Sequence, residues 1–250
     1  MKKIFKADML PLFVLAAGIL GMLLRLWQCI GGTDKGGLLI PGHISGILLV
    51  ILSAATLLLI LLGTWGLRQG SKYRYNFPSS IQGAIGALIA AAAVLVVAIS
   101  CLTSRQDLPT AAAGIIGIPA AICLAVLGLF RFQGRQPHFL IPGCVCLFLM
   151  MFLICQYRIW SSEPQVQSYC YSLLATVFVM LSCYQSTAFA ANFGARRPHA
   201  FFHLAALYFC FVSLIGDHMP LFYLAMGAWM LTDLCRLRPL PRRIARGEAT

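Results

Sequence analysis

The sequence predicts an all-α, polytopic transmembrane helical bundle of about eight spans with both termini in the cytoplasm. Three observations predict it: a composition that is 60% hydrophobic and only 10% charged, apolar runs of spanning length that recur along the chain, and a segregation of Lys and Arg onto alternate connections. An ordinary soluble domain is about one quarter charged, so a water-soluble globule is excluded and the surplus apolar surface must face lipid. A formal charge of +12 would suggest nucleic acid in a soluble chain. Here the basic residues sit in short segments between apolar runs, where they set membrane orientation, and no nucleic-acid partner is expected.

The apolar runs fall near 10–30, 41–67, 80–102, 109–131, 138–158, 165–192, 199–216 and 219–235, each close to the length that crosses a hydrocarbon core of about 30 Å. Pro11, Pro41, Pro78, Pro109, Pro137, Pro164, Pro198 and Pro220 stand at or just before these runs, where a missing N–H costs nothing because the first turn of a helix has unpaired donors anyway. The last two runs are divided by Gly216-Asp217-His218-Met219-Pro220, a turn sequence. With this division, Lys and Arg fall on the termini and the even-numbered connections, all but Arg25, Lys35, Arg105 and Arg158. The positive-inside rule then puts both ends in the cytoplasm and the chain in the cell (cytoplasmic) membrane as a multi-pass protein.

Lys2, Lys3 and Lys6 ahead of the stretch from Met9 to Leu24 have the layout of a signal peptide. No small-x-small site follows, Arg25 interrupts the apolar run, and Leu26-Trp27-Gln28-Cys29 is too bulky for a lipoprotein signal, so a retained first span is expected. Cys123, Cys144, Cys146, Cys183, Cys210 and Cys235 lie within apolar runs or at their cytoplasmic ends and read as small hydrophobes. Cys29, Cys101, Cys155 and Cys170 lie near outer helix ends, where a bridge is geometrically conceivable. No CxxC pair, zinc-site spacing or phosphate loop occurs, and no cofactor is expected. No connection exceeds about a dozen residues, which leaves no room for a soluble catalytic domain.

Short internal echoes, Arg25-Leu26-Trp27 against Arg158-Ile159-Trp160 and Asp107-Leu108-Pro109 against Asp217-His218-Met219-Pro220, suggest two parallel four-helix halves. The echo between Leu39-Ile40-Pro41-Gly42 and Leu140-Ile141-Pro142-Gly143 is out of that register.

Three places are candidates for function. At the outer rim each connection carries an acid (Asp34, Asp107, Glu163, Asp217), and Arg25 and Arg158 lie at outer helix ends beside Trp27 and Trp160. Two arginines with indole walls are a binding site for a carboxylate or phosphate, or else ordinary interfacial anchors. The sixth span is the most polar. Ser182, Gln185, Phe189 and Asn192 follow a three-to-four spacing and, with Gln156 of the fifth span, either line a central cavity or bond neighbouring helices. At the inner face His199 and His203 share one side of the seventh span at the depth of Asp233 on the eighth. That set suits a divalent metal or a proton relay, against the plainer account that His199 is interfacial and Asp233 pairs with Arg236.

Gly83, Ala87 and Ala91, and Gly117, Ala121 and Ala125, form small-xxx-small stripes for close helix packing. Pro119 should kink the fourth span. The tail at 236–250 is basic, and with the basic loops it should lie on anionic lipid head groups at about 1 kcal/mol per basic residue. The leading functional expectation is a small secondary transporter, or the membrane component of a solute transport system, with a small solute bound near Arg25, Arg158 and the sixth span. The alternatives are a non-catalytic partner or scaffold that packs against another membrane protein or a second copy, and an intramembrane enzyme acting on lipid or lipid-linked substrate.

Overall fold

A computed structural model describes residues 9–33, 39–40, 42–67, 70–104, 108–161 and 165–234. Asp34, Asp107, Glu163, Arg236 and the basic tail lie outside the described residues. Among the described residues nine helices follow one another: α1 (Leu10–Gly31), α2 (Ile44–Trp65), α3 (Tyr73–Asn76), α4 (Ile81–Ser104), α5 (Leu108–Gln133), α6 (Leu140–Trp160), α7 (Val166–Ala190), α8 (Arg196–Val212) and α9 (Pro220–Leu234). Eight of them correspond to the eight apolar runs. The one-turn α3 has no counterpart in the hydropathy pattern.

Helix starts follow the chemistry of the residues there. The His43 ring accepts from the Ser45 N–H at the start of α2, the Ser80 hydroxyl accepts from the Gly83 N–H ahead of α4, and Asp217 accepts from the Met219 N–H ahead of α9. Each satisfies a donor that the first turn leaves unpaired. Pro119 lies within α5, where its ring removes one intrahelical bond.

Six helices, α1, α2, α4, α5, α6 and α7, are long and apolar enough to cross a membrane, as a multi-pass membrane protein requires. The 17 residues of α8 and 15 of α9 extend only about 25 and 22 Å at 1.5 Å per residue. Burial explains how they differ. From α4 to α9 each helix packs on the next and α9 closes back on α4, making a ring of six, while α1 and α2 pack on each other and both on α8. Enclosed by α1, α2, α7 and α9, α8 is buried at every residue from His203 to Cys210, so lipid thickness does not set its length. The grouping is thus six and two, and the internal echoes do not correspond to two separately packed halves.

The ring has no open centre at mid-height. Phe152 of α6 meets Phe222 of α9 across it, with ring centroids 5.0 Å apart, and Phe148 stacks beside Phe152. Tyr223 of α9 reaches Thr176 of α7, oxygen to oxygen 3.3 Å. On α2 the pattern is inverted relative to a soluble helix. Ser45, Ser53, Thr56 and Thr64 face inward, with the Ser53 hydroxyl 2.7 Å from the Leu49 carbonyl and 2.9 Å from the Tyr208 hydroxyl. Ile44, Ile47, Ile51 and Leu62 face outward, because in lipid the polar groups are the ones that need protein partners.

The small-residue stripes act between α4 and α5. A Cβ placed on Gly117 would lie 2.6 Å from the Ala98 Cβ and 2.9 Å from the Phe148 ring, whereas one on Gly66, after α2, would meet nothing within 4 Å. Gly117→Leu should therefore destabilise the protein by about 1–3 kcal/mol through overpacking and lower its thermal midpoint in detergent. Gly66→Ala should leave the midpoint unchanged.

Candidate functional site

The described helices run alternately up and down, so Lys72, Arg74, Arg131, Arg135, Arg196 and Arg197 collect at one end, the basic end. The segment before α4 folds inward there. The Ser80 N–H donates to the Arg131 carbonyl (3.0 Å) and docks the start of α4 on the end of α5. Asn76 donates to the Gly70 and Lys72 carbonyls, and the Asn192 side chain accepts from the Tyr73 N–H. Tyr73, Phe77 and Phe189 form a buried aromatic cluster. The Arg131 guanidinium lies over the face of Phe77, 3.9 Å from its centroid, a cation–π contact in a desolvated place.

Beyond this cluster lie four polar side chains drawn from three helices. Arg131 of α5 meets Asp233 of α9, Nη2 to Oδ1 at 2.5 Å. The other carboxylate oxygen, Oδ2, faces His203 Nε2 at 3.4 Å and His199 Nε2 at 3.8 Å, both from α8. Both histidines are 0% exposed and Asp233 is 5% exposed. The edges of Phe77 and Phe189 close over His199. Burial pushes the nearby Tyr73 phenol above its ordinary value, against the opposing pull of Arg131.

The hydrogen-bond inventory of the imidazoles is the informative feature. His203 Nδ1 lies 2.9 Å from the His199 carbonyl, which can only accept, so Nδ1 carries a proton. His203 Nε2 and both ring nitrogens of His199 are buried without a hydrogen-bond partner. In a neutral His203 the bare Nε2 lone pair faces a carboxylate oxygen. In a protonated His203 the same nitrogen donates to it. One ligand-capable atom from each of His199, His203 and Asp233 lies within 4.8 Å of the others. A tetrahedral metal with bonds of about 2.1 Å would need its ligand atoms about 3.4 Å apart, which the spacing approaches. Arg131 pairs with Asp233, so a dication bound there would leave two net positive charges among aromatic walls, and a proton one.

The other expected residues are placed as follows. At the end opposite the basic one Arg25 is 3% exposed and donates to the Gln28 Oε1 (2.8 Å) and the Ser168 carbonyl (2.6 Å). Its guanidinium lies over Tyr171. Trp27 is exposed and edge-on to His43, Trp160 is buried and stacked on Tyr169, and Arg158 is exposed. Gln156 reaches the Met219 sulfur at 3.8 Å. Ser182 donates to its own helix at the Phe178 carbonyl, Gln185 is half-buried, and Asn192 is at the basic end, holding α3. Asp217 caps the start of α9. The structure thus brings His199, His203 and Asp233 together, and Arg25 meets the start of α7 at Ser168 and Tyr171 rather than the stripe of Ser182, Gln185 and Asn192.

The sequence reading missed Arg131 as a member of the cluster, because it counted only toward the charge of a loop. Its signal was depth: it falls within the run at 109–131, whereas Arg135 lies beyond it. No protein-family model matches this chain, and neither does any curated protein or solved structure.

Removing one member of a buried ion pair leaves the other charge uncompensated and costs about 3–5 kcal/mol. Arg131→Met should accordingly lower the detergent thermal midpoint strongly. Adding Asp233→Leu to it should recover most of the loss, which a double-mutant comparison of the two midpoints checks.

Proposed function

We propose that this chain is a small secondary transporter of the cytoplasmic membrane, its basic end facing the cytoplasm, coupled to protons through His203 and Asp233. The observation that carries this reading is the buried cluster itself. Ionisable groups inside an apolar bundle are costly, and where they persist they mark ion or proton pathways by default. Among the described residues, the groups bearing on this cluster are Arg131, Arg196, His199, Cys183 and Tyr73. A proton arriving at His203 Nε2 turns a lone pair facing Oδ2 into a donor and joins α8 to α9. Its departure leaves Arg131 as the main tie holding the end of α9. That difference gives two packings of the α8–α9 contact for a solute to choose between.

A second reading, a non-catalytic partner of another membrane protein, is favoured by the phenylalanine-filled ring, which offers a solute no path at mid-height in this conformation. The enzyme reading is weaker, since the cluster is closed to lipid head groups by Phe77 and Phe189.

Proteoliposomes loaded with a pH-sensitive dye separate these readings. On addition of a panel of amino acids, organic anions and nucleosides, the wild-type protein should move protons with one class of solute. Asp233→Asn should reduce that movement at least tenfold while eluting as the same monodisperse species below its thermal midpoint, which the uncompensated Arg131 charge lowers. Solute uptake without proton movement, or undiminished movement in Asp233→Asn, overturns the coupling role. Silence across the whole panel favours the partner reading.

A further inference from the structure

Another buried arginine, Arg25, meets no carboxylate among the described residues. Its partners are the neutral Gln28 amide, the Ser168 carbonyl and the Tyr171 ring. A buried guanidinium satisfied only by neutral acceptors leaves a net positive potential at this end of α1.

Beside it, between α1 and α2, lies a cavity of about 230 Å³ lined by Gln28, His43, Gly46, Ile47, Val50 and Ile51 among others. Gln28 is 1% exposed. Its Oε1 is held by Arg25, which fixes the orientation of the amide, and its Nε2 donates to no described group. His43 Nδ1 lies 2.6 Å from the Ser45 hydroxyl and 3.4 Å from the Ser45 N–H; in the tautomer in which it accepts from both, the ring proton of the neutral imidazole is on Nε2. The polar part of the lining therefore offers donors, backed by a cation. The rest is apolar and open to the outside of the bundle: Ile47, Val50 and Ile51 are each more than half exposed, on a helix whose mean hydropathy is 2.8.

We infer that this crevice binds an anionic amphiphile, its acidic head group accepting from Gln28 and His43 near Arg25 and its acyl chain lying along Ile47, Val50 and Ile51. The chemistry is that of one end wet and acidic, one end hydrocarbon. The cavity is below the 300–1,000 Å³ usual for enclosing a whole small molecule, which suits a head group whose chain remains in lipid. Gly46 lines the cavity with backbone alone. The site lies at the end opposite the Arg131 cluster and stands whether or not that cluster couples transport. It is also remote from the basic loops, so it is separable from general attraction of anionic lipid to those loops.

The test uses the full-length protein, delipidated in a neutral detergent, with oleate, dioleoyl phosphatidylglycerol and dioleoyl phosphatidylcholine as probes, read by native mass spectrometry and by the thermal midpoint. Wild type should bind one equivalent of oleate or of the phosphatidylglycerol saturably, with a concentration-dependent rise in midpoint, and bind the zwitterionic lipid at least tenfold more weakly. Gly46→Leu, which fills the head-group space, and Val50→Trp, which blocks the chain path on an exposed surface without touching the core, should each weaken binding at least tenfold. Preference for oleate names a free acid as the ligand, and preference for the phosphatidylglycerol names an acidic phospholipid. Equal binding of all three lipids, no saturable binding, or undiminished binding by a well-folded Val50→Trp protein overturns the inference.

Discussion

The rest of the architecture depends on the enclosure of α8. It is the wall shared by the six-helix ring and by the α1–α2 pair, and a helix surrounded on all sides can be accommodated only where its neighbours come close. Small residues on those neighbours make that possible. A Cβ on Gly21 of α1 would lie 2.7 Å from Val212, and one on Gly227 of α9 would lie 3.3 Å from the Cys210 Cβ. Into the remaining space α8 places Tyr208 and Phe209, both among the most completely buried side chains. Because it meets protein and not lipid, α8 carries His199 and His203 without exposing either imidazole to hydrocarbon.

Low dielectric makes every internal polar group a matter of full satisfaction or high cost. Most hydroxyls settle this locally, as Thr56, Thr64, Ser182 and Ser213 do by donating to a carbonyl one turn back on their own helix. Charges have no such local solution. Two of the three buried arginines are resolved differently among the described residues: Arg131 by a carboxylate from α9 and the face of Phe77, Arg25 by neutral acceptors. Among the described residues one end of the bundle therefore holds a nearly neutral cluster with unsatisfied imidazole nitrogens, and the other a guanidinium with neutral partners beside a half-open cavity. The chemical asymmetry of the two ends follows from which helix happens to supply an acid.

Much of this was legible from the chain. The apolar runs and their prolines locate eight helices, six of them of spanning length, since in lipid the backbone must satisfy itself within each segment and hydrophobic length is read almost directly. The spacing of His199 and His203 placed them on one face, and the depth of Asp233 matched theirs. The sixth run was less transparent. Ser182, Gln185 and Asn192 share a stripe, but the first is absorbed by its own helix and the last has left it, at φ 61, to hold α3. A one-turn helix such as α3 carries no hydropathy signal, so neither it nor the aromatic cover it brings over the cluster was visible.

The sequence by itself determined the fold class, the positions of the long helices and the pairing of residues on a common helical face, because all three depend on periodicity and composition within one segment. The tertiary structure decided which segment is innermost, which arginine meets Asp233 and which is left to Gln28, because those depend on how helices distant in sequence choose neighbours. Close approach through small residues governs that choice, and glycines at 21, 86, 117 and 227 look alike in sequence until the helix each one faces is known.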